Sequence, residues 1–522
     1  MTTSPELRPS RRTLLIGASL AAVTTGLAAC APRSPATGSA PAASASPVPG
    51  GVLRAAFAGG GAQETLDPHR ANLFLEGSRS KMIFEKLADL GEDMSAVPRL
   101  AQEWEPNADL TQWTIRLREA VFHDGRPVRP EDVLYSYRRI TDPAEGFRAR
   151  SNFAMLDLDA SEVQDERTLR LHLSRSYAEF PNSLAAFGAF IVPEDATNFD
   201  EPVGSGPFRF AGWDPGRSLT LDAFDDYWEG RPYLDRLEYL IANEESARIN
   251  ALVSGTVQYA HDVSGSTAQT YAAREDLVFT RLPNSGMNGF AMKTDRAPFD
   301  HPDARRALFA LTDRQELVDA ALAGAGNVGN DLFGKGYEYY ADDLPQREQD
   351  LDLARRLIAS SGLGDHEIVI DTADAGTGLI ASANVFADQL RAAGLSASVH
   401  QRDAGTYWSE ILDEGILCAY RSGGMPIESH VSQRLLSDSS TNATAWRDPE
   451  FDALYADAIA TADPAARAGI YHDMQTTLHD RGGFLIWGFA DWIVATSANV
   501  AGIVEAPANS LDWARFDRVW LA

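Results

Sequence analysis

"VPRLAQEWEPNADLTQWTIRLREAVFHDGRPVRPEDVLYSYRRITDP", residues 97–143, passes through strand, turn and helix in one run. Trp113, Ile115 and Leu117 alternate with polar residues, the period of a strand with one buried face. Asp124-Gly125 then supplies a turn. Pro130, with Asp132 close behind it, opens a helix through "EDVLYSYRRI". Trp104, Trp113, Phe122 and Tyr135 are read as core anchors, each able to bury a large area.

The same alternation continues on both sides. "GVLRAAFAG" (51–59), "TLRLHLSR" (168–175), "SLTLDAF" (218–224) and "HEIVIDTAD" (366–374) read as strands. "RPYLDRLEYLIAN" (231–243) leads from a turn into another. "SRSKMIFEKLADL" (78–90) places Met82, Ile83, Leu87 and Leu90 on a helical stripe. "ESARINALVSG" (245–255) and "LDLARRLIASSGLG" (351–364) are helices stopped by glycine, and "ANVFADQLRAAGLSASVHQRD" (383–403) is a helix, Gly394 and a strand. Asp300 and Pro302 begin a further helix, and Thr312 to Gln315 forms a capping box for the next, which stops at Gly324. Strands and helices in turn, without an internal repeat, give a mixed α/β class.

The N-terminus reads as an address. Arg11 and Arg12 precede an uncharged apolar run, residues 14–29, that ends in Leu-Ala-Ala-Cys30. The run is too short for a bilayer span of roughly 20 residues and is read as a signal peptide over 1–29. Its end resembles the bacterial lipobox, which implies a lipid on Cys30, and the arginine pair resembles a Tat export signal. Residues 31–51 are mostly Pro, Ala, Ser and Gly, with Val48 as the one bulky apolar residue, so a disordered tether is expected, roughly 60 Å long at most. No later segment is apolar enough to span a membrane.

The chain has 522 residues with 46 basic against 74 acidic, a net charge of −28. That balance argues against nucleic acid and anionic lipid surfaces as partners. Two cysteines, Cys30 and Cys418, exclude a disulfide framework. Gly324, Gly326 and Gly329 fit GxGxxG but follow a helix, which is the wrong context for a dinucleotide. Ser78 and Lys81 fit SxxK without the companion motifs of penicillin-binding enzymes. GxSxG, HExxH and paired CxxC motifs are absent from the sequence. No catalytic residue, metal ligand or cofactor is therefore assigned. "LCAYRSGGMPIESH" (417–430) is ambiguous on its own: a metal loop, a phosphate cradle, a redox site or a ligand-gripping loop.

The run at 97–143, "TLDPHRAN" (65–72), "PVGSGPFRFAGWDPGRSLTLDAFDDYWEGRPYLDRLEYL" (202–240), "APFDHPDARRALFALTDRQELVDAAL" (297–322) and the tail at 448–488 stand in the order of a known family. Together they resemble the family 5 extracytoplasmic solute-binding proteins of ABC importers, the oligopeptide, dipeptide and nickel-binding group. The resemblance covers nearly all of residues 52–522. It implies a two-lobed periplasmic-binding-protein type II fold with an extra inserted subdomain, built of mixed sheets flanked by helices. Domain Ia would be 52–70, 203–283 and 483–522, domain Ib 71–202 and domain II 284–482. Two hinge crossings would fall near residues 283–287 and 482–484. A monomer leashed to the outer face of the cell membrane would close around a small solute or peptide and hand it to the permease and ATPase subunits. A signalling receptor and a lipid-anchored exported enzyme are the rival roles.

Peptide-binding relatives hold the ligand's amine with a carboxylate just after the strand that corresponds to 416–419. Here Tyr420, Arg421, Ser422 and two glycines follow, with no acid before Glu428. The departure argues against an ordinary free-amine peptide and leaves peptide-like compounds, oligosaccharides, opine-like conjugates and metal chelates open. The resemblance places Asn72, Phe74, Trp408, Tyr420, Arg421 and Trp487 at the ligand, as an aromatic box with one arginine. Cys418 is expected to be a buried small apolar residue.

Overall fold

A computed structural model describes residues 46–59, 64–403, 406–439 and 441–522. The signal peptide, Cys30 and most of the expected tether lie outside the described residues. Among the described residues no helix is long and apolar enough to cross a membrane.

The main sheet has 11 strands among the described residues. Its axis is a pair of long antiparallel strands, Leu277–Met292 and Phe484–Ser497. On one side lie Tyr259–Ala260, Val52–Phe57, Arg236–Ile241, Ser218–Ala223 and Phe208–Asp214. On the other lie Leu417–Gly423, Glu367–Thr372 and Ser396–Gln401. The long pair changes register between Leu282, opposite Trp492, and Gly286, opposite Ala490. Beyond that bulge each strand pairs with a different half of the molecule. A separate four-stranded antiparallel sheet is built by Ala101–Pro106, Gln112–Leu117, Thr168–Leu173 and Leu156–Val163. Helices fill the parallel crossovers, as Leu379–Ala392 does between Glu367–Thr372 and Ser396–Gln401. The α/β class read from the alternation is the one observed.

Most sequence-level elements recur, with two corrections. The stripe at 78–90 is split: the helix Phe74–Ile83 ends, and Leu87 and Leu90 are buried in and beside short strands. The Ile83 carbonyl accepts from Gly206 N–H at 2.9 Å. A Cβ on Gly204 would lie 1.9 Å from that same carbonyl oxygen, so glycine is what lets the two backbones touch. Apolar spacing alone could not separate this arrangement from a longer helix.

The cap of the helix Arg314–Leu322 is Asp313, whose side chain accepts from Glu316 N–H, and not Thr312. The Thr312 hydroxyl instead donates back to Leu308 carbonyl at 2.6 Å and closes the preceding helix, Pro302–Leu311. Gly326–Val328 forms a strand on Phe484–Ser497, which leaves the GxGxxG match without a phosphate loop.

One apolar cluster runs without interruption from the segment around Leu87–Ile191 into that around Met287–Phe489. Ala178 N–H donates to the Ile459 carbonyl across the same boundary at 2.7 Å. The sides of the molecule flanking the long strands therefore touch, and they enclose a cavity.

Candidate functional site

The cavity forms where the strand Leu417–Gly423 ends. Leu417, Cys418 and Ala419 are buried against the partner residues Met292, Ala291 and Phe290. The chain then turns through Gly424 and Met425, and Pro426 caps the helix Ile427–Arg434. The glycine at 424 has a packing reason. A Cβ there would sit 2.5 Å from the Tyr337 hydroxyl, 3.0 Å from Met94 and 3.1 Å from the Ala508 carbonyl. Three distant segments converge on this turn, and only a residue without a side chain lets them meet.

The enclosed volume is about 580 Å³, within the range of small-molecule sites. Asn72 and Phe74 line one wall, at the start of the helix Phe74–Ile83. Trp408 and Arg421, from the other side of the long strand pair, line it as well. These four of the six expected positions come together. Phe74 stacks edge-on to Trp492, centroids 4.4 Å apart, and Trp408 is 42% exposed, a ring left open to the space.

Tyr420 and Trp487 are corrections. Tyr420 is buried against Phe484, and its hydroxyl accepts from Arg434 Nη1 at 2.6 Å. It stands behind the wall and aims Arg434. Trp487 is fully buried in the core that includes Phe290 and Phe386. Strand alternation explains this. Phe484 and Ile486 point into the core shared with Tyr420, whereas Leu485 and Trp487 point to the other face.

Sequence reasoning missed Arg148, Phe187, Arg434 and Asn509, which also line the cavity. Arg148 opens the short helix Arg148–Phe153, and its guanidinium lies 5.5 Å from the Phe187 ring centroid. Burial, followed by the charge of Arg434, lowers its pKa below the ordinary arginine value. Arg421 lies 5.9 Å from the Trp492 ring centroid. Lys86 also reaches the cavity, but its ammonium is taken by Asp89 at 2.7 Å and by the Ala185 carbonyl at 2.9 Å. No local pattern marks Arg148 or Arg434; only the fold brings them to Arg421.

Two larger depressions are more open. One of about 790 Å³ shares Asn72 and Arg148 with the cavity. The other, about 1020 Å³, lies around Val121–Arg129 and Trp228 and shares no residue with it. The enclosed cavity is the better site because its lining comes from both sides of the long strand pair, which neither depression combines among the described residues.

The remaining chemical groups are committed elsewhere. Glu428 is 3% exposed and accepts from the Tyr455 hydroxyl at 2.7 Å, away from the cavity lining. It does not stand in for an amine-holding acid. His430 is buried against Phe333, and burial, with Arg434 adding to it, holds its imidazole neutral. The Cys418 thiol is pushed up to about 12 by burial, which makes it an inert apolar filler. Cys418, Met425 and His430 thus have separate surroundings, and no cluster able to hold a metal occurs among the described residues. Ser78 bonds Tyr239 and the Ala514 carbonyl, while the Lys81 ammonium donates to the carbonyls of Ser510, Leu511 and Trp513. The SxxK pair is structural.

Comparisons with known proteins agree with this architecture. A family model described as "Bacterial extracellular solute-binding proteins, family 5 Middle" matches residues 95–444. The glutathione-binding protein GsiB of Pectobacterium atrosepticum is 24% identical over an alignment of 460 positions that covers 84% of this chain and 87% of that one. Di/tripeptide-binding protein 2 of Pseudomonas aeruginosa is 25% identical over an alignment of 469 positions that covers 81% of this chain and 86% of that one. Among solved structures, AgaA of A. tumefaciens R10 in complex with agropinic acid superposes with a TM-score of 0.76 at 25% identity. That match covers 90% of this chain and 99% of AgaA.

Proposed function

We propose, from the premise that this chain belongs to the bacterial extracellular solute-binding proteins of family 5, that it captures its solute in the cavity between two lobes for delivery to the permease and ATPase of an ABC importer. The observation that carries this reading is the composition of the cavity wall. Asn72 and Phe74 belong to one side of the long strand pair, and Trp408 and Arg421 to the other. A solute touching both walls gains its full contacts only when they close, so it biases the equilibrium toward the closed form. Nothing in this requires chemistry on the solute.

The lobes are proposed to meet at the register shift of the long strands. The first crossing is at residues 283–286. We set the second at 490–492 rather than 482–484, because Ala490 and Trp492 are the residues facing the bulge. The segment 71–202, with its own sheet, is proposed as the inserted subdomain, and the protein as a monomer. Asn72, Phe74, Trp408 and Arg421 are proposed as ligand contacts, and Tyr420 as the residue that aims Arg434. A peptide-like solute is favoured by the ligands named for the relatives: glutathione, di- and tripeptides, and agropinic acid. Tat export and a lipid on Cys30 are proposed from the N-terminal sequence.

Native mass spectrometry of the chain purified without denaturation tests the reading. The expected result is a small molecule that leaves on unfolding and raises the melting temperature when added back. A chain that carries no such mass, and does not respond to extract of its growth medium, would contradict it.

A further inference from the structure

The cavity wall is unusually one-sided in charge. Among the described residues its lining includes Lys86, Arg148, Arg421 and Arg434 and no aspartate or glutamate. This occurs in a chain whose acids outnumber its bases by 28. Lys86 is neutralised by Asp89. Arg148, Arg421 and Arg434 form no ion pair among the described residues.

What holds these three guanidiniums is aromatic. Arg148 is backed by Phe187, Arg421 by Trp492, and Arg434 by the ring and hydroxyl of Tyr420. Ring faces and a phenol orient a cation without cancelling its charge. Each arginine is thus aimed yet unneutralised, and the nearest acid of the helix behind, Glu428, is turned toward Tyr455. Like charges brought together in a partly enclosed space are costly unless an anion arrives. The rest of the wall supplies neutral hydrogen-bonding groups, Asn152, Asn182 and Asn509 among them, and the apolar faces of Phe74 and Trp408.

We propose that the solute carries at least two anionic groups, carboxylate or phosphate, held by Arg148, Arg421 and Arg434, on a compact organic frame that rests on Phe74 and Trp408. This rests on the solute-binding reading and narrows it to a substrate class. Bidentate pairing of guanidinium with carboxylate or phosphate supplies both affinity and orientation. A free cationic amine finds no carboxylate among the described residues of the wall to receive it.

The test uses the full mature chain and an extract of growth medium split by ion exchange into anionic, neutral and cationic fractions, with trialanine as a zwitterionic probe. Melting temperature is read for the parent, Arg148→Gln and Arg421→Gln. The anionic fraction alone is expected to raise it. Each substitution is expected to weaken that response by roughly tenfold or more in ligand concentration, with the ligand-free melting temperature nearly unchanged. A response to the neutral fraction, the cationic fraction or trialanine, or full affinity in both variants, would overturn the anionic assignment while leaving solute binding intact. No response to any fraction would instead overturn the solute-binding reading on which it stands.

Discussion

Glu179 shows how one buried residue ties the two sides of the cavity together. Its carboxyl accepts from the Tyr471 hydroxyl across the boundary. Burial, and then the nearby Glu428 carboxylate, push its pKa up to about 8. In the unfolded chain it would titrate near its ordinary value of 4.5. Between these values the folded protein holds a proton that the unfolded chain has lost. The stabilisation is complete below the ordinary value and is lost as pH rises through the folded one. Urea midpoints should therefore fall between about pH 5 and pH 8 through this group. Glu179→Gln, neutral at every pH, should flatten that slope, and an unaltered slope would show that Glu179 is not its source. Residues such as Asn72, Phe74, Trp408 and Arg421 were legible in the sequence because motif order fixes their place. Trp487 was misread because a tryptophan on a strand looks the same whether it lines a cavity or fills a core; the parity of Phe484–Ser497 decides it.

At the scale of elements, local chemistry was readable where one residue type has one use. Pro130 opens its helix and Gly362, with φ +70, closes another, as their backbone preferences require. It was not readable where two solutions share a pattern. Thr312 and Asp313 can each cap, and the carboxylate takes the cap while the hydroxyl serves the helix before it. The helix at 74–83 stops where a loop from Gly206 arrives, a contact more than a hundred residues away in sequence. The N-terminal element makes its own prediction. If residues 10–30 are a lipoprotein signal, Cys30→Ala should move the protein from the membrane fraction to the soluble one, and continued anchoring would sink the lipobox assignment.

For the whole molecule the decisive feature is the pair of strands shared by both halves of the main sheet. Leu277–Met292 and Phe484–Ser497 pair along their length except at two register shifts, one between Leu282 and Gly286 and a smaller one between Asn288 and Gly289. The wider interruption, at Leu282–Gly286, is where the proposed hinge would bend, since two adjacent strands allow fewer motions than a loose linker. The overall charge of −28 carries no information about the ligand, because the wall of the cavity is cationic. The fold class and element order could be read from the alternation of periods. The convergence of Arg148, Arg421 and Arg434 could not, since it exists only after the lobes are assembled.

The central claim is that a solute closes the two sides around this cavity. Spin labels on Arg217→Cys and Arg355→Cys, exposed positions in the two halves, would report it by pulsed electron resonance in a Cys30→Ser chain; Cys418 is buried and unreactive. Adding the extract fraction that raises the melting temperature is expected to shift the distance distribution to a narrower, shorter one. An identical distribution with and without that fraction would contradict it.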